Sequence, residues 1–184
     1  TTKIVTEEHF CAHQGFDLAT FDDRVARPTE LPTFRVLKSE PYVSFKARLA
    51  QHFRLPDQAI RLWVLVNRQN KTVRPDAVVP ENDPTLTLET VRDRMASRQH
   101  DLRLFLEVLT PNSLAMTHFD AAAPGSAIMI FLKYFDTSRQ TLLGVSRMYV
   151  QRQMRVADLV PTINELMRWP PTTQVKLFEE IKPG

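Results

Sequence analysis

The sequence of 184 residues predicts an α+β protein built from two copies of one small unit. Three observations predict it. Strand-like stretches flank an amphipathic helical stretch in the first half, the same order recurs after position 126, and a segment rich in proline and alanine separates the two. A hydrophobic share of 43% is enough to give each copy a core.

The first copy opens on a strand candidate, "TKIV" (2–5), followed by "EEHFCAHQGFD" (7–17). In that stretch Thr6 is the expected N-cap of a short helix, and Glu7 and Glu8 suit its positive end. Val5 and Phe10 occupy the positions of a hydrophobic staple, with Gly15 as the left-handed stop. Phe16 is expected to fold back on Phe10 and Cys11, which makes Cys11 a small apolar plug. "PTFRVLK" (32–38) alternates as a strand. "PYVSFKARLAQHF" (41–53) then places Phe45, Leu49 and Phe53 on one helical face, with His52 on its rim. "IRLWVLV" (60–66) is the next strand, and a proline-rich loop, "RPDAVVPENDP" (74–84), leads to a closing strand, "DLRLFLEVL" (101–109). Residues 111–126, with Pro111, three alanines and Pro124-Gly125, read as a linker; His118 within it carries no signal.

The second copy repeats the order with "AIMIFLKYF" (127–135), "SRMYVQ" (146–151), a helix in "RVADLVPTINELM" (155–167) and "VKLFEEI" (175–181). Pro161 fits that helix if Asp158 is the N-cap and the proline falls in the first turn. A shift of 114 residues sets Phe45, Leu49 and Phe53 on Leu159, Ile163 and Met167. Strand, strand, helix, strand, irregular stretch, strand is the β-grasp order, which gives domains over 1–110 and 127–184. The second copy lacks a closing strand before Gly184. In a β-grasp sheet that strand is central, so 127–135 and 175–181 are expected to be left with unpaired backbone for further chain or another segment to fill.

Composition excludes several classes. Four glycines against 13 prolines, with no glycine-rich phosphate loop, argue against a nucleotide site, and no cofactor is expected. There is no apolar run of bilayer length and no signal-peptide pattern, so a soluble chain without membrane partners is expected. One cysteine cannot form an internal disulfide. The +3 charge comes from 24 basic and 21 acidic residues, well mixed, which argues against a nucleic-acid footprint. Arg147, Arg152 and Arg155 read as a solvated strand end.

His9, Cys11 and His13 raise the question of thiol or metal chemistry. A nucleophilic thiolate needs a histidine and a group that orients it. Helical spacing puts His9 and His13 on one face and Cys11 roughly 200° away from His9, and no third metal ligand is near in sequence. An independent small thiol or metal enzyme around these residues is therefore the lesser alternative. The pairs Asp22 and Asp23, Glu179 and Glu180, and His100 and Asp101 read as solvated charges, because strand neighbours point to opposite faces.

"LPDQAIRLW" (55–63) resembles a turn and third strand of ubiquitin, with one extra residue before the arginine. "IVTEEHFCAHQGFD", "FRVLKSE", "IRLW", "IMIFLKYFD", "ADLVP" and "FEEIKP" occur in the order seen in the first two ubiquitin-like domains of the herpesvirus-associated ubiquitin-specific protease (HAUSP) family and its fungal relatives. The resemblance implies two tandem ubiquitin-like domains, the non-catalytic part of a larger deubiquitinating thiol protease whose Cys-box and His-box are not matched here. It implies protein partners, namely ubiquitinated substrates, regulators and the protease's own catalytic domain, in nucleus and cytoplasm. Neither copy ends in the Gly-Gly of a conjugated modifier. In the ubiquitin-like frame Trp63 falls on the recognition patch, so Arg61, Trp63 and Leu65, with Lys176 and Phe178 in the second copy, are the candidate partner-binding residues. Burial of Trp63 under the loop 70–84 or the other domain stays open as the alternative.

Overall fold

A computed structural model describes residues 1–22, 31–97, 99–109 and 127–182. The expected linker, 111–126, lies outside them, as do Asp23 and His118. Alternating patterns become two sheets. The first has strands β1 (Thr2–Val5), β2 (Thr33–Phe34), β3 (Ile60–Asn67), β4 (Val73–Val78) and β5 (Leu102–Val108), in the order β2-β1-β5-β3-β4. The last strand is central: β5 runs parallel to β1, with Ile4 opposite Leu104, and antiparallel to β3, with Arg61 opposite Glu107. That is the arrangement a β-grasp requires of its closing strand. The second sheet is a hairpin of β6 (Ala127–Asp136) and β7 (Thr141–Gln151).

Helix α1 (Glu7–Ala12) follows β1, α2 (Tyr42–Phe53) precedes β3, α3 (Leu88–Met95) precedes β5 and α4 (Val160–Met167) follows β7. Period-two alternation sorts the first sheet into two faces. Leu62, Val64, Leu102, Leu104 and Leu106 pack with Phe45 and Leu49 of α2. The other face turns Leu65 and Phe105 toward Phe10 of α1 and Leu18, and Trp63, Met129 and Phe131 pack against this second cluster. The hairpin thus covers the face that α2 leaves bare.

Several expectations need correction. The strand expected over 32–38 shrinks to Thr33–Phe34, paired to β1, before the chain turns at Leu37 to Glu40. The proline-rich "loop" contains β4; Pro75 lacks an N–H and is tolerated because β4 is an edge strand with a bulge at Asp76, where Val64 pairs Ala77 and Leu65 pairs Pro75. Helix α3 lies in the stretch read as irregular: Thr87 caps it by accepting from the Thr90 amide at 3.2 Å, and Leu88 and Val91 are buried. The second-copy helix starts as a 3₁₀ turn, Val156–Leu159, and its N-cap is Leu159; Asp158 instead pairs with Arg155. Pro161 does fall in the first turn of α4, where its missing donor costs nothing. "VKLFEEI", expected as a strand, forms no strand and, among the described residues, joins no sheet.

Candidate functional site

The strand β5 carries one acid, Glu107, among apolar neighbours, on the same face as Phe105. Its side chain is fully buried, at 0% exposure. Burying a carboxylate is affordable only when its oxygens are saturated by good donors. Oε2 accepts from Arg61 Nε at 2.9 Å and Trp63 Nε1 at 2.7 Å. Oε1 accepts from Arg147 Nη1 at 2.8 Å and from the Tyr149 hydroxyl at 2.7 Å. Arg61 Nη2 also donates to the Tyr149 oxygen at 2.9 Å, so the two sheets are joined by more than one bond. Burial, and then the Glu107 carboxylate, push the Tyr149 phenol up, which keeps it protonated and donating. The Arg61 guanidinium stacks over the Trp63 ring, and Arg147 lies over Tyr149.

Around this charge cluster the two sheets interlock. Phe131 of β6 meets Phe10 and Phe105 edge to face, at 5.0 and 5.1 Å between ring centres. The segment after α1 runs beside β7: Gly15 N donates to Leu142 O at 2.7 Å and Gly144 N to His13 O at 3.3 Å. Glu7 accepts from the Arg147 amide at 3.1 Å and pairs with its guanidinium. The outer edge of β7 is thereby covered.

A second polar cluster holds the end of the chain. Glu180 accepts from the Asp17 amide at 2.9 Å and pairs with Lys133 at 2.7 Å and Arg74 at 3.1 Å. Burial would push its carboxyl up, but the bonds from Lys133 and Asp17 and the two cations hold it below the usual range. Lys133 is pulled down by burial, while Glu180 works the other way. Asp17, at a positive φ of 66°, also receives the Val73 amide at 2.8 Å and Lys182 at 3.0 Å.

These geometries relocate the residues singled out in the sequence. Arg61 and Trp63 lie in the junction between the sheets, and Leu65 is fully buried in the core, so of the two readings left open for Trp63 the structure matches cover by the second half of the chain. Arg147 is likewise not a solvated strand end but a buried partner of Glu107. Glu180 is not a solvated charge either, since three groups close around it. Lys176 and Phe178 are exposed, Phe178 at 86%, beside Ile181 at 63%. They border a groove of about 990 Å³ that runs along β6 and residues 176–181, with Phe16, Phe135, Leu159 and Leu177 in its walls.

The His-x-Cys-x-His stretch is not gathered into a site. Cys11 is exposed, not an apolar plug, and its thiol donates to Val145 O at 3.3 Å. Burial of its surroundings and Glu7 both push the thiol up, away from the reactive thiolate. His9 closes a capping box, its Nδ1 accepting from the Thr6 amide at 3.1 Å, and His13 bonds Phe16 O at 2.7 Å. The expected stop at Gly15 is replaced: His13 is the C-cap in extended backbone, and Gly15, at φ 112°, serves the contact with β7. Phe16 is accordingly left at the surface. Among the described residues no cluster of three or more His, Cys, Asp or Glu could hold a metal ion. Glu107, Tyr149, Gly144 and Asp17 were not singled out in the sequence. For Glu107 one signal existed, a lone acid on the inward face of an apolar strand.

The class this defines is an α+β module of two interlocked sheets joined through a buried carboxylate. Residues 60–184 match the family model described as the ICP0-binding domain of ubiquitin-specific protease 7, and the chain belongs to that family. Over 99% of its length it is 31% identical to ubiquitin carboxyl-terminal hydrolase 5 and 27% identical to ubiquitin carboxyl-terminal hydrolase 15, both of Schizosaccharomyces pombe. It is 30% identical to ubiquitin C-terminal hydrolase 13 of Arabidopsis thaliana, again over 99% of its length. The chain spans 16% of the length of each of these relatives.

Proposed function

We propose that the chain is a tandem pair of ubiquitin-like units forming a non-catalytic module of a ubiquitin-specific thiol protease, which recruits substrates or regulators and positions the catalytic domain. The observation that carries this reading is the first sheet, with β5 between β1 and β3, in a chain of the ICP0-binding-domain family. In the second unit β6, β7 and α4 stand in the order of β1, β2 and α2, with the stretch 175–181 at the place of β3. Among the described residues one edge of β6, along the groove, pairs with no strand. A nuclear and cytoplasmic location follows from the same family reading.

Lys176 and Phe178 are the preferred partner contacts, because an exposed aromatic beside a cation suits a protein interface. Arg61 and Trp63 contribute by holding the two units together. The test compares the partners captured by the full-length protease with those captured by the same protein lacking this module, and by its Phe178→Ala variant. Loss of the same partners in both supports the reading, and an unchanged set refutes it. The chain alone, given a fluorogenic ubiquitin substrate, is expected to release no fluorophore; turnover would restore the thiol-enzyme alternative at Cys11.

A further inference from the structure

Glu107 divides its carboxylate between the two units. Both donors to Oε2, Arg61 and Trp63, come from β3 of the first unit. Both donors to Oε1, Arg147 and Tyr149, come from β7 of the second. The cores are divided unequally. Most buried apolar side chains belong to the first unit, while Val150 and Ile163 are the buried apolar residues of the second among the described residues. Met129 and Phe131 of β6 pack instead into the cluster formed by Val5, Phe10, Leu65 and Phe105.

The geometry points to Glu107 as an interdomain latch that fixes the order in which the module opens, with the hairpin β6–β7 leaving first and the first unit staying folded. When the hairpin undocks, Oε1 loses both its donors and meets water, while Oε2 keeps Arg61 and Trp63. The first unit therefore retains a satisfied charge and its own core. The hairpin has no comparable core to retain, so it cannot hold its packing without the first unit. Undocking also uncovers the Phe105 ring, which Phe131 covers in the closed state. Glu107 acts this way whatever partner the module binds, and its test needs none.

The test is amide hydrogen exchange on the 184-residue chain and its Glu107→Gln variant, read peptide by peptide. The neutral amide leaves Arg61 and Arg147 facing each other without the carboxylate they share, and Arg147 keeps only Glu7. Peptides from β6 and β7 are expected to exchange about tenfold faster or more, with β1 and α2 within about twofold of the parent. Equal acceleration in both units, acceleration in the first unit alone, or unchanged exchange in β6 and β7 would each overturn the latch. If Glu107→Gln yields no folded protein, Arg147→Met carries the same test from the second sheet, with the same outcomes.

Discussion

Gly144 of β7 lies so close to Phe10 of α1 that a Cβ at residue 144 would stand 2.0 Å from the Phe10 carbonyl oxygen and 2.8 Å from its carbon. Both atoms are backbone, so neither can rotate away. A glycine is required there by the approach of two elements 134 positions apart in the chain, and a side chain would force them apart.

Gly144→Ala is therefore expected to lower stability by roughly 1–3 kcal/mol, the usual cost of overpacking. Urea unfolding followed by circular dichroism checks it. An unchanged midpoint would mean that α1 and β7 are not in contact.

Trp63→Phe keeps most of the ring but removes the Nε1 donor to Glu107. One hydrogen bond to a buried carboxylate is lost, at a cost of about 1.5–3 kcal/mol. Phe178→Ala is the contrast, because its ring is 86% exposed and a change within about 0.5 kcal/mol is expected. Parallel thermal melts of the two variants provide the comparison.

His9 gives a pH dependence. Burial pulls its imidazole below the ordinary 6.5, against the pull of Glu8. The neutral ring is the one that accepts from the Thr6 amide. The unfolded chain thus binds more protons than the folded one just below pH 6.5, so this stabilisation is complete above that value and is lost as pH falls through the folded pKa. His9→Gln keeps a side-chain acceptor at the N3 position of the capping box without titrating there. Its melting temperature is expected to fall less than the parent's between pH 7 and 5, approximate limits set by the histidine range.

Glu180→Gln tests the tether at the end of the chain. It leaves Lys133 and Arg74 close together without the carboxylate that pairs both. Residues 175–182 are expected to be cleaved sooner by a nonspecific protease, with the first unit intact. In the parent the same release is expected as pH drops below about 4.5, since the depressed Glu180 pKa holds the tether above that point and gives it up as pH falls through the folded value. Equal cleavage of parent and variant at neutral pH would show that Glu180 does not tether the segment.

Local patterns made much of the fold legible. β1, α2, β3 and β5 follow from alternation and helical spacing, and Thr6 from cap chemistry. What escaped depended on partners far along the chain. β4 is hidden because Pro75, with Pro80 and Pro84 after it, makes the stretch look like a loop, and only its edge position and the bulge at Asp76 make Pro75 acceptable. α3 was hidden by a low apolar content, although Leu88, Val91 and Met95 carry helical spacing. The junction was the least legible part. Trp63 stands out in the sequence as an aromatic beside a cation, but its environment is set by Glu107, Arg147 and Tyr149, none of them adjacent to it in sequence. Gly15 was read as a helix stop, because its second neighbour, Leu142, belongs to the other sheet.

One carboxylate shared oxygen by oxygen between two units also constrains their inheritance. A change at residue 107 must be matched both at 61 and 63 and at 147 and 149, so the two halves are expected to vary together across relatives. A chimera that joins the hairpin of one relative to the first unit of another would keep its stability only where both parents carry the same acid and the same four donors.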